Sequence, residues 1–114
     1  MNKRATGSSY EEIAAAYLTN KGYEILEKNY RNRQGEIDLI AREGPYLVFI
    51  EVKFRRDDRN GTPAEAVDYH KQQKIIRTAR HYLMIRHCDE SQPCRFDVVA
   101  ILGNDITVIQ NAFY

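Results

Sequence analysis

The chain has 114 residues, 43% hydrophobic and 29% charged, with a formal net charge of +1. That length supports one hydrophobic core, and that composition excludes wholesale disorder and fibrous repeats. No apolar run approaches the roughly 18 residues of a membrane span, Met1 to Ser9 is polar, and two cysteines are too few for a disulfide scaffold. A cytoplasmic protein with reduced thiols and no membrane partner is therefore expected.

One domain over residues 1–114 is expected, with 1–7 as a flexible leader. The charges are uneven: the net is −1 over residues 1–52, +5 over 53–86 and −3 over 87–114. The middle third is where a polyanion would be drawn, although a solvated helix face explains the same excess without a partner.

Ser8 and Glu11 stand in the S-x-x-E relation of a capping box, and Ile13, Ala14, Tyr17 and Leu18 recur at helical spacing. They predict a first helix running to about Asn20 and terminated by Gly22. Tyr23, Ile25 and Leu26, interleaved with Glu24 and Glu27, predict a short edge strand reaching Tyr30. Past a polar loop, a strand over Glu36 to Arg42 is expected to point Ile37, Leu39 and Ala41 one way and Glu36, Asp38 and Ile40 the other. Gly44 and Pro45 make a turn. The returning strand, Tyr46 to Phe54, is apolar on both faces until Glu51 and Lys53, as a central, doubly covered strand would be.

Thr62, Pro63 and Glu65 predict the start of a long helix to about His87, with Asp68 as a second N-cap that would break it near Tyr69. Its inward stripe comprises Gln72, Ile75, Ile76, Ala79, Leu83 and Arg86, with Lys74, Arg77 and His81 opposite and Lys71 on the border. After a loop over Asp89 to Pro93, two further strands are expected, Phe96 to Leu102 and Ile106 to Gln110. The order α-β-β-β-α-β-β describes an α/β fold with a mixed central sheet flanked by helices.

The chemistry concentrates in Gly35-Glu36-Ile37-Asp38 and Glu51-Val52-Lys53. With Gly44 and Pro45 as the two loop residues of a hairpin, Asp38 faces Glu51 and Glu36 faces Lys53, so four charged side chains share one face, with Val48, Ile50 and Val52 behind them. Opposed carboxylates about 5 Å apart repel, and a hard divalent cation, Mg²⁺ or Mn²⁺, relieves the conflict with Asp38 and Glu51 as ligands and the Val52 carbonyl as a third. Lys53 beside the cation would balance charge growing on a phosphate, which is machinery for phosphodiester hydrolysis without a serine or histidine nucleophile. The competing reading is a surface network in which Glu36 pairs with Lys53 and Asp38 takes a backbone donor.

The blocks Gly35 to Ala41, Val48 to Lys53, the Lys71 to Leu83 helix and Cys94 to Val99 resemble the YraN family. These small bacterial proteins are similar to Holliday-junction resolvases and to the restriction-endonuclease-like, PD-(D/E)xK, nucleases. The resemblance implies a restriction-endonuclease-like fold, a Mg²⁺ or Mn²⁺ site at Asp38 and Glu51, Lys53 as the catalytic lysine and Glu11 as a helical glutamate near the metal. It also implies a nucleic-acid partner, DNA before RNA; the sequence does not give the oligomeric state, and a homodimer is the arrangement common among resolvase-like enzymes that cut two strands. Ile37 stands where the superfamily motif has its proline.

Around this centre, Glu36 and Gln72 are supporting candidates, and Arg55, Arg56, Lys71 and Lys74 are candidate phosphate contacts, extended by Arg59, Arg77 and Arg80. Asp97 is expected to pair with Arg95 or another basic group rather than bind metal. His87, Cys88 and Cys94 lack the fourth ligand of a zinc site. The eight tyrosines are mostly amphipathic core or rim residues; a few of them could stack on unpaired bases, with no sign in the sequence of which. The expected function is a metal-dependent nuclease, with possible action on branched DNA; the alternative is a non-catalytic nucleic-acid-binding or protein-interaction module of the same fold.

Overall fold

The computed structural model describes residues 7–57, 59 and 67–114. The elements follow the expected order: α1 (Gly7–Asn20), β1 (Glu24–Asn32), β2 (Gly35–Glu43), β3 (Tyr46–Arg55), α2 (Tyr69–Ile85), β4 (Cys94–Leu102) and β5 (Asp105–Ile109). The strands form one mixed sheet in the order β1-β2-β3-β4-β5, with β3 and β4 parallel and the other neighbours antiparallel. The all-apolar run of β3 thus sits in the middle of the sheet and the charged β1 at an edge, where unpaired backbone groups can meet water.

Each face of the sheet carries its own core. Ile40, Phe49, Phe96 and Val98 pack with Ile75, Ile76, Ala79 and Tyr82 of α2. Leu39, Ala41, Val48, Ile50, Val99 and Ile101 pack with Ala14, Ala15 and Leu18 of α1. The alternation of apolar residues along β2 and β3 is what lets one layer of backbone serve two helices.

Local departures from the expected pattern have physical causes. The Thr62, Pro63 and Glu65 signals and residues 1–6 of the expected 1–7 leader lie outside the described residues, and Gly7 opens α1 instead of ending the leader. The described helix starts at Tyr69 behind Asp68, whose side chain accepts from the Lys71 N–H at 2.8 Å, so Asp68 acts as the N-cap anticipated for it. Thr78 and Tyr82 join the buried stripe of α2, and Arg86 is instead an exposed C-cap residue paired with Glu27. In β2, Ile37 falls with the α2-side cluster although Leu39 and Ala41 lie on the α1 side. Between the pairs Lys28↔Leu39 and Tyr30↔Ile37, Asn29 takes a φ of 52°, and the alternation breaks at Asp38.

At Gly35 the start of β2 lies directly against α2. A Cβ there would lie 2.8 Å from Thr78 Oγ1, at a φ of 155°. Thr78 is fully buried, its hydroxyl donates to the Lys74 carbonyl, and its own carbonyl accepts from Asn32 Nδ2. Gly35→Ala is expected to destabilise the fold by about 1–3 kcal/mol. Thr78→Ala in the same chain should recover part of that loss in a urea-melt double-mutant cycle, because it removes the oxygen the methyl would meet.

Candidate active site

The β2–β3 ladder has the expected register from Glu43↔Tyr46 to Leu39↔Ile50 and ends there. Beyond it, Asp38 Oδ2 accepts the Val52 N–H at 2.8 Å, a side chain standing in for the backbone acceptor the ladder would have supplied. The strands therefore part at Asp38, and the expected cross-strand pair of Glu36 with Lys53 does not form. Glu36 stays on the β1 side, opposite Arg31 in register and 3.3 Å from its guanidinium. The backbone donor anticipated for Asp38 in the competing surface network is present, but its Glu36–Lys53 pair is not.

Lys53 turns to Glu51 instead, with Nζ 3.4 Å from Oε2. Glu51 is 5% exposed, and a second ammonium, Lys71 Nζ from the first turn of α2, lies 3.6 Å from the same oxygen. From the other face, α1 brings Glu11 up to Asp38. Glu11, Asp38, Glu51, Lys53 and Arg55 line one hollow of about 340 Å³, walled on one side by Tyr10 and Phe54. Among the described residues, no group of three or more His, Cys, Asp and Glu side chains is placed to hold a metal ion.

The electrostatics of that hollow are frustrated. Burial, and then the neighbouring Asp38 charge, push the Glu51 carboxyl from its ordinary 4.5 up to about 7 against the opposing pull of Lys71 and Lys53. Burial, followed by repulsion from and contact with Asp38, raises Glu11 to about 7 as well. Glu11 Oε1 is buried with no hydrogen-bond partner.

A consequence for stability follows by linkage. Below pH 4.5 Glu51 is protonated both folded and unfolded; from there to about pH 7 the unfolded chain ionises while the folded one keeps its proton, so folding becomes less favourable as pH rises. In chelator, this group should contribute a stability loss on the order of 2 kcal/mol between pH 5 and 8, read from urea melts, and Glu51→Gln should remove that slope. An identical slope in the variant would contradict the burial-driven shift.

The other sequence candidates sit apart from the carboxylates. Gln72 donates its amide to the Val67 carbonyl, closing the start of α2. Lys74 is exposed, and its stem packs over Gly35. Arg56 is exposed and lines a neighbouring hollow. Asp97 is fully buried and, as expected, bound to Arg95, through two contacts of 2.9 Å. Lys71 was expected on the phosphate-contacting surface, not against Glu51. Its border position on the helix stripe was the only sequence signal for an inward reach.

Comparison with known proteins shows the chain's relatives. The sequence model described as uncharacterised protein family UPF0102 matches residues 10–101. A UPF0102 protein of Lachnoclostridium phytofermentans is 51% identical over 99% of this chain and 96% of its own length. Relatives from Caldanaerobacter subterraneus subsp. tengcongensis and Nitrosomonas europaea are 49% and 51% identical over 91% and 94% of this chain, covering 84% and 92% of theirs.

Proposed function

The chain belongs to the uncharacterised protein family UPF0102, the YraN family, and from its site we propose a metal-dependent nuclease that hydrolyses phosphodiester bonds in nucleic acid, DNA before RNA. The observation that carries the reading is the meeting of Asp38, Glu51 and Lys53 at one hollow where the two strands part. No helix among the described residues is long and apolar enough to cross a membrane.

The donors fit a hard divalent cation. They are oxygens only, Mg²⁺ is commonly held by one or two carboxylates with water in its remaining positions, and Glu11 Oε1 is a buried acceptor without a partner. Asp38 and Glu51 would hold the ion, which when bound supplies charge neutralisation at the phosphate and a lowered pKa for an attacking water. The Val52 N–H fixes the Asp38 carboxylate through Oδ2, and Glu11 meets the same carboxylate from α1. Lys53 brings positive charge to the phosphoryl oxygens as negative charge builds on them, and Lys71 holds Glu51 from the opposite element. Arg55, on the rim of the same hollow, binds the phosphate on arrival.

The test is incubation of pure protein with branched, single-stranded and duplex DNA, and with RNA, in Mg²⁺ or Mn²⁺, beside Asp38→Ala and Lys53→Ala. Cation-dependent product is expected, falling at least about a hundredfold in each variant. Undiminished product in both variants would identify a contaminant. No product with any substrate would favour the non-catalytic module.

A further inference from the structure

The rings of Tyr10 and Phe54 stack with centroids 4.0 Å apart at 16°, and this pair lines two hollows at once. On one side lie the carboxylates. On the other is a hollow of about 370 Å³ whose wall is largely apolar: the same two rings, Ile13, Ile101 and Ile106, with Arg56 on it. Both rings are half-buried and Ile13 is 43% exposed, so this surface is open to solvent. It lies where Tyr10 and Ile13 of α1 meet Phe54 near the end of β3, Ile101 near the end of β4 and Ile106 at the start of β5.

An aromatic, apolar hollow sharing a wall with a strongly polar one suits a ligand that joins a planar apolar body to an anionic backbone. A nucleotide has that form: the base is a π-surface that stacks on aromatic side chains whatever its sequence, and the phosphate beside it needs a cation. The two consecutive arginines at the end of β3 divide accordingly, Arg55 lining the carboxylate hollow and Arg56 the apolar one. One guanidinium is thus available at each hollow for an anionic backbone.

We propose that the hollow bounded by Tyr10, Phe54, Ile101 and Ile106 seats an unpaired nucleobase next to the phosphodiester held at Asp38 and Glu51, which makes the substrate a strand unpaired at the cut. This rests on the nuclease reading of the adjoining hollow. A base inside a continuous duplex is stacked on both faces and does not reach the ring pair without being extruded.

The test measures binding of a short DNA strand carrying 2-aminopurine, against the same strand in a perfect duplex, to the Lys53→Ala protein in Mg²⁺, where turnover is slowed. The unpaired strand is expected to bind at least about tenfold more tightly, with its fluorescence quenched on binding. Tyr10→Leu and Phe54→Leu should each weaken it about tenfold, the scale of one base–aromatic stack, with duplex affinity unchanged and Tyr10→Phe close to the parent. Should the leucine variants fail to fold, the quench in the parent and its retention in Tyr10→Phe decide the matter. Equal affinity for strand and duplex, absence of quenching, or a concentration-dependent dimer that buries these rings would overturn the proposal. If any of those occurs while wild-type protein still cleaves, only the base seat is lost; if nothing is cleaved yet the strand binds with quenching, the nuclease reading is what fails.

Discussion

Replacing Glu51 with glutamine is expected to cost at least about a hundredfold in cleavage while leaving the metal-free protein no less stable than wild type at pH 8. The two effects come from one cause. The ionised carboxylate is buried beside Asp38, and the two lysines within 4 Å of it do not fully offset that cost, as its elevation to about 7 records. A glutamine of the same shape keeps an acceptor for Lys53 and Lys71, sheds the charge Asp38 repels, and loses the oxygen a cation would take. A purely structural Glu51 would behave in the opposite way, since breaking a stabilising buried ion pair costs about 3–5 kcal/mol. Urea melts at pH 5 and pH 8, together with single-turnover cleavage, separate the two: a large stability loss at both pH values would refute the site reading.

The largest loss of stability is expected at Asp97, which the chemistry does not use. Its carboxylate is fully buried and accepts from Tyr23 Oη at 2.8 Å, from Arg95 Nε and Nη2 at 2.9 Å each, and from the Asn111 N–H at 3.0 Å. Arg95 also contacts Glu43 at 2.8 Å, and Tyr23 Oη accepts from Gln110 Nε2, so the group ties β4 to the start of β1, the end of β2 and the segment after β5. Asp97→Ala leaves a guanidinium and a phenol short of their partner in a dry site, for a loss of about 3–5 kcal/mol out of the roughly 5–15 a domain possesses. The melting temperature should fall by more than about 10 °C, with cleavage at low temperature retained. A fall of only a few degrees would mean that water or Glu43 takes over the role of Asp97.

What could be read in the sequence was what depends on neighbours along the chain. The Gly44-Pro45 turn fixes the register of β2 on β3, and that register is found as far as Leu39↔Ile50. The apolar run of β3 marks a central strand, and Asp97 two residues from Arg95 suggested its partner. What escaped depends on contacts between distant segments. The break in β2 coincides with the left-handed Asn29 on the neighbouring strand, so neither Ile37 nor Glu36 carries any sign of it. Lys71 reaches Glu51 because the described helix starts at Asp68, and two competing N-cap signals hid that choice. Glu11 was indicated by family resemblance alone, since only packing of α1 across the sheet brings it to Asp38. Tyr10 was one tyrosine among eight until the structure set its ring on Phe54.

The central claim is that one aspartate and one glutamate from adjoining strands share a divalent cation beside an ammonium group. Anomalous scattering from a crystal soaked in Mn²⁺ addresses it directly. A peak is expected within bonding distance of both the Asp38 and Glu51 carboxylates, lost in Asp38→Ala. A peak bound elsewhere, or none between these acids at millimolar Mn²⁺, would contradict it.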